Sequence, residues 1–149
     1  MYIYLGFGLT FKNKKGEYGY MILKNYQIVK LYEAIIEVIN SDNDLSIKVL
    51  YKLNKNLKNL NELKNIIKEQ NDQLIIKSYN NGEVAINETG KVMPIQGKEN
   101  NYKNFMLKLN ELYSIENEVF LDTFLIEDLE NLDGISKDSK ITILMLIEE

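Results

Sequence analysis

The sequence predicts an α+β fold, a largely antiparallel β-sheet with three to four helices packed on it. Three observations support this class: strict apolar alternation near the N-terminus, apolar residues at helical spacing further along, and an irregular order of the two. The expected order, β-β-α-β-α-β-β-β-α-α-β, lacks the regular alternation that builds a parallel sheet. The length of 149 residues and the lack of a long linker predict a single domain over residues 1–149.

The N-terminal region is predicted to form two antiparallel strands. Apolar residues alternate with small or polar ones over residues 3–11, a turn is expected at residues 13–16, and the alternation then resumes. If residues 13 and 16 are paired, Phe11 lies opposite Tyr18. The apolar residues of the first strand and their partners in the second are then all expected to face the core. Tyr20 and Ile22 are therefore expected on the buried side.

Helices and a strand are predicted for the next part of the chain. Apolar residues recur every three or four positions over residues 26–40 and again over residues 57–67, which indicates two amphipathic helices. Between them, residues 45–50 alternate and are expected to form a strand. Residues 102–113 carry the clearest helical pattern of the chain.

A β-hairpin is predicted around Asn80-Asn81-Gly82. Asn-Gly between two strand-like runs, here residues 74–79 and 83–87, is a strong hairpin signal because a type I′ turn needs two residues with positive φ. Residues 91–95 are expected to add a third strand, and Pro94, the only proline, favours a position at the sheet edge.

The C-terminal part is predicted less uniformly. Residues 119–132 fit a helix better than a strand, although their first half also suits a strand, and both assignments stay open. Residues 140–148 are rich in β-branched and apolar side chains, so we expect a buried strand.

The composition removes much of the usual catalytic chemistry. The chain has no His, Cys, Trp or Arg, and all 18 basic residues are Lys. A His-based triad, a thiolate nucleophile, a zinc–thiolate site and a bidentate guanidinium are thereby excluded. Abundant Asn, Lys, Ile and Tyr are also what an AT-rich genome encodes, so codon supply is an alternative reason for the missing residue types.

No enzymatic motif replaces the missing residues. Glu33 and Glu37 are four positions apart on one predicted helix, which places them side by side and not across a cleft. The Pro-Asp element of metal-dependent nucleases is not met, because Ile95 follows Pro94. We therefore predict a non-catalytic protein with no cofactor, no catalytic residues and no metal site.

The charge is strongly segregated along the chain. Residues 1–108 hold 16 Lys and 11 acids, a net charge of +5, whereas residues 109–149 hold 2 Lys and 11 acids, a net charge of −9. The acids of residues 109–149 could form an exposed cluster, and an acidic cluster can steer the approach of a basic partner. The alternatives are a solvated acidic face and a divalent-cation site. The candidate partner-binding residues are Asp122, Glu127, Asp128, Glu130 and Asp133.

An alternative site lies in the basic part of the chain. The predicted helix over residues 57–67 and its flanks carry Lys55, Lys58, Lys64 and Lys68, and Gly6 and Gly8 would leave room on one face of the first strand. Together they suggest a nucleotide- or nucleic-acid-binding module. The lack of Arg and the pI of about 5.0 argue against nucleic acid as the partner.

In its small size, single predicted domain, AT-rich composition and segregated charge, the chain resembles accessory proteins of phages and mobile elements, such as anti-CRISPR inhibitors and toxin-immunity proteins. This resemblance implies an inhibitor that binds a protein with a basic surface. The apolar run at residues 143–147 is shorter than the ~20 residues of a membrane helix, and no signal peptide is visible, so we expect a cytoplasmic protein without a membrane anchor.

Overall fold

The computed structural model describes residues 2–5, 8–12 and 18–148, with side chains from Tyr20 onward. It confirms the α+β class and the antiparallel sheet. The strands are β1 (Tyr2–Leu5), β2 (Gly8–Lys12), β3 (Tyr18–Lys24), β4 (Ala85–Ile86), β5 (Val92–Met93) and β6 (Glu116–Asp122). The helices are α1 (Asn25–Asn40), α2 (Ile47–Ser78), α3 (Glu99–Ser114), α4 (Ile126–Leu129) and α5 (Lys137–Ile143), followed by a 3₁₀ turn at Leu144–Leu146.

The chain divides into two compact units. Unit 1 comprises Met1–Lys64 and Glu116–Glu149, and unit 2 comprises the intervening Asn65–Ile115. Helix α2 begins in unit 1 and ends in unit 2. The expectation of a single domain stays a prediction.

Unit 1 contains a four-stranded antiparallel sheet in the order β1-β2-β3-β6. The first predicted strand is wrong in its length, because β1 and β2 are separate strands that pair with each other, Leu5 opposite Gly8. The predicted register is also wrong, since Phe11 lies opposite Tyr20 and not Tyr18. The turn predicted at residues 13–16 lies outside the described residues, as does Gly6.

The buried face of β3 is the opposite of the one predicted. Met21 and Leu23 are buried, whereas Tyr20 is 46% exposed and packs edge-on against Phe120 of β6 at 5.0 Å between ring centroids. Both faces of this strand carry large apolar residues, so alternation alone does not reveal which one faces the core.

The core of unit 1 is formed by one face of α1, the buried side of the first half of α2, the inner face of the sheet and the C-terminal segment. The α1 residues recur at helical spacing, as the sequence predicts. Buried apolar side chains of this unit include Met21, Leu23, Ile28, Leu31, Ile35, Val38, Val49, Leu53, Leu60, Val119, Leu121, Phe124, Ile143 and Leu146.

The strand predicted at residues 45–50 is wrong, because α2 begins at Ile47. The Oγ atom of Ser46 accepts a hydrogen bond from Val49 N, as an N-cap residue does. Val49 and Leu53 are buried, whereas Ile47 is 83% exposed, so burial follows the period of a helix and not that of a strand. The helix predicted over residues 57–67 is confirmed as part of α2.

Helix α2 also provides hydrogen bonds to the outer edge of β6, where the described part of the chain has no further strand. Lys52 Nζ donates to Thr123 O at 2.9 Å, and Asn59 Nδ2 donates to Phe120 O at 2.9 Å. Between them the fully buried Asn56 donates to Asp122 O at 2.9 Å and accepts from Asp122 N at 2.7 Å. Residues at these spacings share one face of a helix, so side-chain groups of α2 satisfy backbone groups at the edge of the sheet.

Unit 2 consists of the second half of α2, the β4–β5 hairpin and α3. Asn80 and Asn81 both have positive φ, at 50° and 58°, but they end a helix instead of joining two strands. Asn81 N donates to Ile76 O at 3.0 Å, the long backbone bond of a Schellman-type helix end. The strand predicted at residues 74–79 is therefore wrong. The strand near residue 92 and the helix over residues 102–113 are confirmed.

The C-terminal part of the chain also departs from the prediction. Residues 119–132 contain the end of β6 and the short α4, so the open assignment resolves into a strand followed by a helix. The buried strand predicted at residues 140–148 is wrong, because α5 and the 3₁₀ turn occupy it. Ser136 caps α5 by accepting a hydrogen bond from Ser139 N at 3.2 Å.

In the described part of the chain, no helix is both long and apolar enough to cross a membrane.

Candidate functional site

Asp122, the first of the predicted partner-binding acids, is not part of an exposed surface. It lies at the end of β6 and is 6% exposed. Its carboxylate forms an ion pair with Lys55 of α2, at 3.4 Å between Nζ and Oδ2. Asp122 therefore contributes to the contact between α2 and β6.

The acids that follow Asp122 lie on α4 and the loop after it. Glu127, Glu130 and Asp133 are exposed. Asp128 is half-buried, and its Oδ2 accepts a hydrogen bond from Leu125 N at 3.2 Å, which caps the start of α4. Three of the five predicted acids are thus exposed on one short segment, and their carboxylates form no ion pair with any described residue.

A second acidic segment is attached to the first by Asn43. The Asn43 side chain accepts a hydrogen bond from Asp133 N at 2.9 Å and donates one to Asp133 O at 2.8 Å. Asp42 and Asp44, both exposed, flank Asn43 in the loop between α1 and α2. This paired contact brings their carboxylates next to the segment that carries Asp133.

We call the resulting surface the acidic patch, and it consists of Asp42, Asp44, Glu127, Glu130 and Asp133. Among the described residues, the ion pairs are Lys55–Asp122 and Lys68–Asp72, and neither includes a member of the acidic patch. Like charges on adjacent segments therefore add without compensation from a paired lysine.

Exposed apolar side chains lie directly beside these carboxylates. Leu125 and Ile126, at the start of α4, are 56% and 54% exposed. The buried neighbours Phe124 and Leu129 hold this segment against the core of unit 1. The segment that carries Glu127, Glu130 and Asp133 thus also exposes two apolar side chains.

The segment after the acidic patch is held by Glu37 of α1. The Glu37 carboxylate accepts hydrogen bonds from Ser136 N, from Ser136 Oγ at 3.1 Å and from Ser139 Oγ. The bonds from Ser139 and Ser136 lower the pKa of Glu37 below its ordinary value, because they stabilise the ionised form. This contact fixes the start of α5 to α1.

The alternative lysine site is mostly engaged within the protein. Lys55 is paired with Asp122, Lys68 with Asp72 at 2.9 Å, and the ammonium of Lys64 lies 4.6 Å from the centre of the Tyr32 ring. Within the described residues, only Lys58 of the four makes no such contact. Gly6, which was expected to complete this site, lies outside the described residues. The nucleotide- or nucleic-acid-binding alternative stays a prediction.

The described residues include no group of three or more carboxylates positioned to hold a metal ion.

Sequence reasoning missed Asp42 and Asp44 because they lie far along the chain from the acid-rich C-terminal region, between a predicted helix and a predicted strand. Their place in the acidic patch depends on a contact between Asn43 and Asp133, which are 90 positions apart. No local pattern indicates such a contact. Asp122 is among the predicted partner-binding acids because the sequence does not indicate that it lies at the end of a strand and faces α2.

Comparison with known proteins provides no relative: no family model matches the chain, and no curated protein or solved structure is significantly similar to it.

Proposed function

We propose that this protein is a non-catalytic binding protein that attaches to a basic surface of another protein through the acidic patch. The observation that carries the proposal is the pairing of Asn43 with Asp133, which joins two acidic segments into one uncompensated surface. An ordinary solvated acidic face needs no such link between distant segments.

The exposed Leu125 and Ile126 supply the apolar part of the proposed interface. Carboxylates around them would steer the partner and fix its orientation, and the apolar side chains would be buried on contact. The partner is therefore expected to present lysines or arginines around an apolar depression.

The proposed mode of action is inhibition by occupancy. A small acidic protein competes with any anionic substrate for a basic groove, and inhibitors of the anti-CRISPR or toxin-immunity type would act in this way. The net charge of −4 and the small size of the chain support this proposal. The protein is proposed to act in the cytoplasm.

The first test uses a defined basic probe. Titration of the protein with a nona-arginine peptide should shift the backbone amide NMR signals of residues 42–44 and 125–133 before those of other acidic segments. Raising the salt concentration should weaken the interaction steeply. Shifts spread evenly over all exposed acids would contradict the assignment of the site.

The second test uses charge reversal with a matched control. Glu127→Lys/Glu130→Lys should lower the association rate with the peptide, or with a partner captured later, by about tenfold. The control Glu62→Lys/Glu69→Lys changes the net charge equally on the exposed side of α2 and should have little effect. Equal losses in both variants would indicate nonspecific attraction and would overturn the proposal.

A further inference from the structure

Unit 2 contains a cavity that has no part in the acidic patch, which belongs to unit 1. Its volume is about 360 Å³, within the range of about 300–1,000 Å³ found for small-molecule sites. One face of α3 forms a wall of this cavity, with Tyr102, Phe105 and Met106 at helical spacing. The buried Val92 of β5 contributes to another wall. The interior is therefore apolar and aromatic.

Two polar side chains that line this cavity, those of Lys91 and Asn71, have no partner among the described residues. Lys91 is the one charged residue that lines it, and within the described residues its ammonium makes no ion pair or hydrogen bond. Asn71 of α2 also lines the cavity, and its side-chain amide has no partner among the described residues. A free cation and a free amide beside an apolar wall suit a ligand with one anionic end.

The hairpin holds Lys91 in place through its backbone. Lys91 N donates to Asn87 Oδ1 at 2.8 Å, and Asn87 N donates to Lys91 O at 2.9 Å. Gly90 has a φ of +82°, a conformation that favours glycine, so the turn before Lys91 depends on that residue. The backbone of Lys91 is thus held in a constrained loop, so binding need not order the backbone at this position.

We propose that the cavity of unit 2 binds a small amphipathic anion, an apolar ring system or short chain that carries one carboxylate, sulfonate or phosphate group. The apolar part lies against Phe105 and Met106, and the anionic group pairs with Lys91 and accepts a hydrogen bond from Asn71. The volume limits the ligand to about the size of two fused rings with a substituent.

The test compares two fluorescent probes that differ in charge. Anilinonaphthalene sulfonate has the proposed chemistry, and phenylnaphthylamine has the same aromatic system without the sulfonate. The wild-type protein should bind the anionic probe about tenfold more tightly, the difference expected for one charge-assisted hydrogen bond. Equal affinity for both probes, or no binding of the anionic one, would overturn the proposal.

Variants separate this site from general apolar adhesion. Lys91→Gln should remove the preference for the anionic probe, and Lys91→Arg should retain it. The control Lys103→Gln, on an exposed part of α3 outside the cavity, should leave the preference unchanged. Met106→Trp should block both probes by filling the cavity. If Met106→Trp unfolds, amide NMR shifts of the wild-type protein decide instead: they should be confined to residues 71, 90–92 and 102–113, and shifts elsewhere would refute the site.

Discussion

Glu37 shows how one carboxylate can hold in place a segment that lies about 100 positions away in the sequence. Its side chain receives hydrogen bonds from the Ser136 backbone and from the Ser136 and Ser139 hydroxyls at the start of α5. Because those donors stabilise the carboxylate, the pKa of Glu37 lies below its ordinary value of 4.5. The ionised form therefore contributes stability to the folded state.

This contribution should depend on pH in a defined direction. It is fully present above the unfolded-state pKa and is lost as the pH falls through the lowered pKa of the folded state. We expect the difference in Tm between the wild type and Glu37→Gln to be largest at neutral pH. The difference should shrink below pH 4.5, as measured by thermal unfolding at several pH values.

Glu33→Gln provides the control, because Glu33 is an exposed glutamate one turn earlier on the same helix. Its difference from the wild type should stay nearly constant over the same pH interval. A Glu37→Gln difference that persisted unchanged at about pH 3 would contradict the proposed linkage.

At the scale of elements, the contact between α2 and β6 depends most on Asn56. Replacing Asn56 with Leu would leave Asp122 N and Asp122 O buried without their hydrogen-bond partner. Each such group costs about 1–3 kcal/mol, so Asn56→Leu should lower the free energy of unfolding by about 2–6 kcal/mol in urea denaturation.

Asn54 offers a matched control on the same helix. It is exposed, and its amide donates only to Leu50 O one turn back. Asn54→Ala should change the free energy of unfolding by less than about 0.5 kcal/mol. Similar losses in the two variants would mean that the edge contact has no special energetic role.

Elements were predictable from the sequence where a long segment had one consistent period. The helices α1 and α3 bury one face each, and their apolar spacing revealed them. Prediction failed over residues 45–50 and 140–148, where short apolar runs fit either structure. In both cases a serine cap, Ser46 or Ser136, initiates a helix, and a hydrogen bond at the cap decides between assignments that periodicity leaves equal.

The candidate site was predictable only in part for a related reason. Glu127, Glu130 and Asp133 are close in sequence, so their common surface followed from spacing. Asp42 joins them through the distant contact of Asn43, and Asp122 leaves them because α2 covers it. Both facts are set by tertiary packing, which no local pattern encodes.

At the scale of the whole molecule, the two units differ in how much they bury. Among the described residues, most of the large, fully buried side chains belong to unit 1, such as Ile28, Leu31 and Leu121, whereas the core cluster of unit 2 is centred on Tyr79, Val92 and Phe105. Because unit 2 has the smaller core, local opening of unit 2 should cost less free energy than local opening of unit 1.

We therefore expect the two units to differ in hydrogen exchange. Amides of α3 and of the β4–β5 hairpin should exchange faster than those of α1 and β6 under native conditions, as measured by mass spectrometry. Uniform protection across both units would show instead that the chain opens as one cooperative structure.

The side-chain contacts of α2 with β6 also bear on how the protein avoids aggregation. An unpaired strand edge is a template for association with a second chain, and proteins protect such edges with covering elements or charges. Here Lys52, Asn56 and Asn59 occupy the backbone groups that another strand would use. Lysine and asparagine, the residue types that an AT-rich genome supplies most freely, thus protect the β6 edge of this sheet against pairing with a strand of a neighbouring molecule.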